Sequence, residues 1–184
     1  MKKNLLNTFN LSILLLFLTG CVIHTANSNT LLPEYKGKQL NIGVIGQLPD
    51  VREKHIHFIP LTLKDLMEEN TQKADAIFIN KEFLSEAADS QYAESYLQSP
   101  IPIFFIHSEK VILAFIDQKL SYEQAHELQS NEYLIGYYKD SYFGITLDKN
   151  KKTKETVQSS YSRAFKMIEM AKTTGTMTIK NPAS

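Results

Sequence analysis

Polar and charged side chains follow three apolar runs of this sequence, at the points where the runs end. The runs are residues 39–46, 74–80 and 101–107. If they are parallel strands of one sheet, their carboxyl ends meet at one edge, which is where ligands lie in open α/β sheets. The candidate ligand-binding residues at this edge carry both signs of charge, an amide and an imidazole: Asp50, Arg52, Asn80, Lys81, Glu82 and His107. We expect a small-molecule ligand, if one binds, to contact this group.

The pair His55-x-His57 is a second group that could do chemistry. It places two imidazoles on one face of a predicted strand, because side chains alternate along a strand. A metal would need a third ligand. The sequence offers His107, Asp50, Glu53 or Glu109, at no recognised spacing. We therefore expect no metal and no other cofactor, and we expect the histidine pair to lie at the sheet edge opposite the strand-end residues.

The sequence lacks the motifs that name a reaction. Gly43 and Gly46 form neither a G-x-G-x-x-G turn nor a P-loop, and Ser108 has no G-x-S-x-G frame. These absences favour a noncatalytic binding or interaction module over an enzyme. The alternatives are an enzyme that uses the polar loops at the strand ends and an accessory subunit of a membrane complex.

Apolar strands alternate with amphipathic helices along the chain. Strands are predicted near residues 40, 56, 76, 101 and 111. Thr62, with Asp65 three positions on, predicts a capped helix after the second strand, and residues 81–99 predict a helix or helix pair. This order indicates an α/β fold, a single three-layer domain with a mainly parallel sheet. The short link between the first two strands leaves antiparallel pairing or one helical turn at Pro49 as alternatives.

The C-terminal part predicts a hairpin and a closing helix. Residues 132–138 and 141–147 flank Lys139-Asp140, which is not a favoured turn pair. Thr153 caps a long helix that ends before Gly175. The expected core comprises Ile42, Val44, Phe58, Ile77, Ile79, Phe104 and Phe165. The hairpin also carries aromatic residues that offer a second candidate surface, for a protein or a sugar: Tyr133, Tyr137, Tyr138, Tyr142 and Phe143.

The first twenty residues have the layout of an export signal. Lys2 and Lys3 precede an apolar segment, Leu11–Leu18, which is followed by Thr19 and Gly20. The segment is far shorter than the ~20 residues that a membrane-spanning helix needs. We expect residues 1–20 to be a signal peptide that is removed.

The signal ends in Leu18-Thr19-Gly20-Cys21, which contains the one cysteine of the chain. This resembles the lipobox of bacterial lipoproteins. The resemblance implies that Cys21 receives a diacylglyceryl group, with acyl chains of the palmitate type, and becomes the first residue of the mature protein. It also implies a cell-membrane location, lipid-anchored and facing outside the cytoplasm.

The composition of the mature chain excludes a nucleic-acid partner. Loss of Lys2 and Lys3 leaves 18 basic and 20 acidic residues, so the basic surface of a nucleic-acid binder is missing. Residues 21–38 are polar and small, and predict a flexible tether that would span about 23 Å as a coil. Residues 39–184 then form the single α/β domain, which has no cysteine and must be stable through its core.

Two families share features with this chain. The segments NIGVIGQLPD and ADAIFIN resemble the first strands of one lobe of the substrate-binding lipoproteins of ABC importers. Those proteins have two lobes with a cleft between them, and this chain supplies one lobe at most. The closer resemblance is to short lipoproteins of Bacillus-type Firmicutes, which share the lipobox and a single small domain. That resemblance implies membrane anchoring and leaves the small-molecule or protein partner open.

Overall fold

The computed structural model describes residues 33–68, 70–71 and 73–177. The predicted signal peptide, the lipobox with Cys21 and most of the predicted tether lie outside these ranges. Within the described ranges, no helix has both the length and the apolar character needed to cross a bilayer.

Six strands form one mixed sheet in the spatial order β2-β1-β3-β4-β5-β6. The strands are β1 Leu40–Ile45, β2 Ile56–Leu61, β3 Ala76–Ile79, β4 Ile103–Ile106, β5 Glu132–Tyr138 and β6 Ser141–Thr146. Strands β1 to β4 are parallel, while β5 pairs antiparallel with β4, and β6 with β5. The predicted α/β domain with a mainly parallel sheet and a C-terminal hairpin is confirmed.

Helices cover both faces of the sheet and make three layers. Four short helices pack on one face: α1 Leu63–Met67, α2 Leu84–Ala87, α3 Ser90–Leu97 and α4 Leu113–Ile116. The long closing helix α5, Lys154–Thr174, packs on the other. Strand β3 shows why two cores form, since Ile77 and Ile79 face the short helices and Phe78 faces α5. Buried strands carry apolar side chains on both faces for this reason.

Side-chain caps set the helix starts at the predicted positions. The Thr62 backbone N–H donates to Asp65 Oδ2 at 2.7 Å, and the Asp65 N–H donates back to Thr62 Oγ1 at 3.4 Å, a capping box at the start of α1. Thr153 caps α5 in the same way with Thr156, and Gly175 ends α5 in a left-handed conformation, φ 73°. The segment predicted as a helix or helix pair, residues 81–99, is a pair, because Asp89 caps α3 with a new start.

The predicted strand near residue 111 is wrong. Residues Leu113–Ile116 form helix α4, in which Ala114 and Phe115 are buried. The Phe115 ring stacks on Phe105 of β4 at a centroid distance of 3.8 Å. A short apolar run suits a buried strand or a buried helix equally well. Here the hairpin strand β5 occupies the edge of β4, so the run packs on the face of the sheet instead.

Strands β1 and β2 are parallel, with Leu40 opposite Ile56. Antiparallel pairing is therefore excluded, and the link, residues 46–55, is irregular rather than a helical turn at Pro49. Ten extended residues reach about 33 Å, which is enough to return along a six-residue strand. Strand β2 is an edge strand, and Phe58 is half-buried there rather than fully buried as predicted.

The hairpin turn is Lys139-Asp140, as predicted, with φ values of 45° and 59°. Positive φ at both positions is the geometry of a tight two-residue hairpin, which Asn-Gly adopts more easily. Local contacts hold this pair in place. Tyr137 donates its hydroxyl to Asp140 Oδ1 at 3.2 Å, and Lys139 Nζ donates to the Gly175 carbonyl at 3.3 Å.

A buried glutamate fastens the chain ahead of β1 to helix α5. Glu53 is 3% exposed and accepts hydrogen bonds from the Tyr35 N–H at 3.0 Å, the Ser162 hydroxyl at 2.5 Å and the Arg52 N–H at 3.1 Å. Tyr35 itself is buried, and its ring stacks on His55 at 5.4 Å. The packed domain thus begins by Tyr35, a few residues before the predicted boundary at residue 39.

Replacing Glu53 by alanine is expected to lower the free energy of unfolding by about 3 kcal/mol, because three hydrogen-bond donors, two of them buried, lose a charged acceptor. Equilibrium urea unfolding followed by circular dichroism measures the change. The exposed Glu123→Ala is the matched control. Equal stability of the two variants would show that Glu53 does not fasten this segment.

Candidate functional site

A cavity of about 630 Å³ opens at the carboxyl edge of the parallel strands, and we call it the strand-end cavity. Segments that follow β1, β3 and β4 line it, together with Tyr133 of β5 and the start of α5. Five of the six candidate residues lie in its wall: Asp50, Asn80, Lys81, Glu82 and His107. Parallel strand direction brings these separate segments to one edge. Ligand binding by them stays a prediction.

The sixth candidate, Arg52, lies outside the cavity wall. Its guanidinium donates to Ser162 Oγ on α5 at 2.6 Å, beside the buried Glu53. The link between β1 and β2 turns at this point from the sheet edge onto the face that α5 covers. Arg52 therefore joins the link to α5 and is not placed to contact a ligand in the cavity.

The histidine pair lies at the opposite edge, as expected from a parallel β2. His55 precedes the first residue of β2 and stacks on Tyr35, and His57 is exposed. Among the described residues, no group of three His, Cys, Asp or Glu side chains could hold a metal ion. The donor set of the strand-end cavity, lysines opposite singly placed carboxylates, likewise does not fit a cation.

The end of β1 passes close over the segment after β3. Gly46 has φ 107°, and a Cβ there would lie 2.5 Å from Glu82 Oε1 and 3.0 Å from the Asn80 Cβ. A glycine is needed because an L side chain fits neither this conformation nor this space. The Gln47 N–H then donates to Glu82 Oε1 at 2.9 Å, and Asn80 Nδ2 donates to the Gln47 carbonyl. These bonds fix the floor of the cavity.

An ion pair joins the β1 loop to the start of α5. Lys154 Nζ lies 2.7 Å from Asp50 Oδ2, and Gln158 Nε2 donates to Asp50 Oδ1 at 3.4 Å. The hydrogen bond from Lys154 holds the pKa of the Asp50 carboxyl below its usual range, and the charge of Lys154 adds to the effect. Both side chains are exposed at the rim, so the pair contributes little to stability. It does place the loop against the helix.

A second ion pair involves Lys81 of the cavity wall. Lys81 Nζ is 2.5 Å from Glu109 Oε1, which joins the segments after β3 and β4. This hydrogen bond raises the pKa of Lys81 and lowers that of Glu109. Lys81 therefore stays charged but already has a carboxylate partner.

His107 is the most constrained residue of the cavity. Its φ is 56°, in the left-handed region, directly after β4, and its N–H donates to the Tyr133 carbonyl at 2.6 Å. A non-glycine residue there costs free energy, and such outliers concentrate at binding and active sites. The ring lies 5.4 Å from the Tyr133 ring, and both ring nitrogens lie near Lys152 Nζ, at 3.4 and 3.5 Å. Burial, then Lys152 and Lys81, lower the pKa of His107 against a smaller opposing effect of Glu109, so its imidazole is neutral at pH 7.

Two tyrosines form the inner wall. Tyr133 and Tyr161 meet edge to face, with ring centroids 6.3 Å apart. Burial raises the pKa of each phenol, so both stay protonated. They offer a ligand ring faces and uncharged hydroxyls.

Sequence reasoning missed the part of the wall that comes from the C-terminal segments. These residues are Tyr133, Lys152, Thr153, Lys154, Val157 and Tyr161. A signal for them was present in the predicted hairpin. Two successive antiparallel pairings make β6 run in the same direction as β4, so a helix that follows β6 must begin at the carboxyl edge. Once β5 is paired with β4, which the hairpin pattern alone does not predict, this direction places Thr153 at the same edge as His107.

The hairpin aromatics do not form one exposed surface. Tyr137 and Tyr138 are buried, Tyr133 faces the strand-end cavity and Phe143 is half-buried. Tyr142, 75% exposed, is the member of this group that faces solvent.

Comparisons with known proteins assign no family to the chain. No protein-family model matches it, and neither a curated protein nor a solved structure does.

Proposed function

We propose that this protein is a membrane-anchored lipoprotein outside the cytoplasm whose single domain binds a small molecule, without catalysis, in the strand-end cavity. The observation that carries the proposal is the convergence of Asp50, Asn80, Lys81, Glu82 and His107, from three separate segments, on one cavity. A volume of about 630 Å³ lies in the usual range for small-ligand sites.

The chemistry of the wall supports binding rather than catalysis. The carboxylates that could act as a base are held by partners, Asp50 by Lys154 and Glu82 by the Gln47 N–H. The nearby Ser108 hydroxyl donates to the Lys110 carbonyl at 2.8 Å in a local turn, and so is not directed into the cavity. Hydrogen-bond donors, ring faces and the neutral His107 imidazole remain, and the neighbours of that imidazole are Lys152 and Tyr133 rather than a nucleophile.

A second groove of similar volume, between α1 and α3, is a weaker candidate. It is lined largely by apolar and small polar side chains, with Glu94 as its one charged member among the described residues. Few groups that could orient a polar ligand converge there. The strand-end cavity therefore supports the proposal better.

Filling the cavity tests this proposal. Val157 lies in the wall on the first turns of α5, and a Val157→Trp variant is expected to abolish binding of any compound that occupies the cavity. Compounds covering organic acids, phosphate esters, amino acids, sugars and metal ions are titrated into isotope-labelled protein. Amide NMR shifts at residues 47–50, 80–82 and 152–157 report binding in the cavity.

Leu113→Trp is the matched control, because Leu113 is 49% exposed on the opposite face. It should fold and bind like the unsubstituted protein, and thermal unfolding checks that Val157→Trp is folded. Compounds that shift only residues of the α1–α3 groove, or a set in which none shifts the cavity residues, would contradict the proposal.

A further inference from the structure

Three lysine side chains line the strand-end cavity, and they differ in what they contact. Lys154 is paired with Asp50 at 2.7 Å, and Lys81 with Glu109 at 2.5 Å. Within the described residues, Lys152 has no carboxylate within ion-pair distance. It is the cation of the cavity whose charge is not matched.

The surroundings of Lys152 are rings. Its Nζ lies 3.4 and 3.5 Å from the two ring nitrogens of His107, and 5.6 Å from the centroid of the Tyr133 ring. A ring face attracts an ammonium group weakly compared with a carboxylate, and the neutral imidazole adds no negative charge. The Lys152 ammonium group therefore lies beside the His107 imidazole without a negative partner, and a bound anion would stabilise it.

The groups around His107 make this corner positive. Lys152 faces it from the segment before α5 and Lys81 from the segment after β3, while Glu109 faces it from its own loop and Tyr133 from β5. The two lysines together oppose protonation of the imidazole more than Glu109 favours it. The neutral ring keeps one N–H that can donate to a ligand oxygen.

The start of α5 also favours an anion at this corner. Thr153 caps this 21-residue helix at the cavity wall, and the positive end of the helix dipole lies there. The cavity wall also carries apolar groups, including Leu48 and Val157. The corner formed by Lys152, His107 and the start of α5 is therefore electropositive, and the same wall offers apolar surface to the organic part of a ligand.

We propose that the ligand is a small organic oxyanion, a carboxylate or a phosphate ester, whose charged group binds between Lys152, His107 and the start of α5. The organic part then lies against Leu48, Val157 and the tyrosine rings. This inference rests on the proposed function and names the class of ligand for the same cavity.

Matched probes that differ in one group test the charge preference. Phenyl phosphate and benzoate carry the two oxyanions on the same ring, benzamide is the neutral counterpart, and benzylamine the cationic one. We expect at least one of the two anions to bind in the cavity about tenfold more tightly than benzamide, by NMR titration of the full chain. The preference between phosphate and carboxylate identifies the source of the oxyanion.

Lys152→Gln tests the assigned cation. It should weaken binding of the preferred anion about tenfold, the loss expected for one charge-assisted hydrogen bond. Lys151→Gln removes the same charge one residue away, at an exposed position outside the wall, and should change binding less than twofold. Saturation with the anion should also raise the pKa of the His107 ring, because a negative charge beside the ring stabilises its protonated form. If Lys152 had only a structural role and the anion bound elsewhere, the pKa of His107 would not change on saturation.

Three outcomes would overturn the oxyanion assignment: benzamide or benzylamine binding as tightly as the anions, equal effects of Lys152→Gln and Lys151→Gln, or no cavity shifts with either anion. If neutral or cationic compounds bind in the cavity as tightly as the anions, and the Val157→Trp variant no longer binds them, the oxyanion assignment fails and the proposed function stands. If no compound of any class binds there, both fail.

Discussion

A Phe165→Ala variant is expected to lose about 3–5 kcal/mol of unfolding free energy, the cost of removing a fully buried phenyl ring. Phe165 has no solvent exposure, and its ring centroid lies 6.0 Å from that of Tyr35 and 6.1 Å from that of Phe78. The loss would be a large fraction of the 5–15 kcal/mol that stabilises typical domains. Urea unfolding followed by circular dichroism measures it.

The size of this effect follows from where Phe165 lies. It joins α5 to β3 and to the segment before β1, so the cavity left by alanine is bounded by three elements that cannot all close on it. Tyr142→Ala is the matched control, since its ring is largely exposed and its removal should cost little. If the two variants have the same stability, α5 is not packed on the sheet through Phe165.

The core on both faces of the sheet could be predicted from hydrophobic patterns. Phe78 and Phe104 occupy one face, and Ile77 and Ile79 the other, because uninterrupted apolar runs are characteristic of strands buried on both faces. The pattern is ambiguous where the run is short and isolated. Residues 111–117 also fit a strand. They contain helix α4 instead because β5, which is distant in sequence, occupies the edge of β4.

The candidate site also contains residues that the sequence could place and residues that it could not. Residues that immediately follow predicted strands, such as Asn80 and His107, could be placed at the carboxyl edge because strand direction determines where a strand ends. Arg52 could not, since the link after β1 leaves the edge within a few residues to contact Ser162. Lys152, 45 positions after His107, meets its ring through tertiary structure that a local pattern does not contain.

The strained backbone of His107 had no sequence signal either. Asparagine, aspartate and histidine tolerate a left-handed conformation more often than other residues, but a histidine after a strand is not by that fact left-handed. The conformation arises because the His107 N–H donates to the Tyr133 carbonyl while the chain turns away from β4.

Replacing Cys21 by serine is expected to move the protein from the membrane fraction to the soluble fraction of cells. The physical reason is the size of the anchor: each buried CH₂ contributes about 0.8 kcal/mol, so two long acyl chains hold a protein that one chain holds marginally. If residues 1–20 are removed as predicted, the remaining 18 basic and 20 acidic residues provide no strong electrostatic attraction to an anionic membrane that could replace the lipid. Cell fractionation and labelling with radioactive palmitate measure the two consequences.

Thr25→Ser is the matched control, because it changes a small polar residue four positions further on and leaves the lipobox intact. It should stay in the membrane fraction and take up palmitate, while Cys21→Ser does neither. Globomycin, which blocks lipoprotein signal removal, should retain the signal peptide on the unsubstituted protein. Unchanged processing with globomycin, together with Cys21→Ser in the membrane fraction, would show that the anchor is not a lipid on Cys21. The proposed function would then lose its membrane anchor, and any ligand binding in the strand-end cavity would take place on a domain that is not fixed beside the membrane through Cys21.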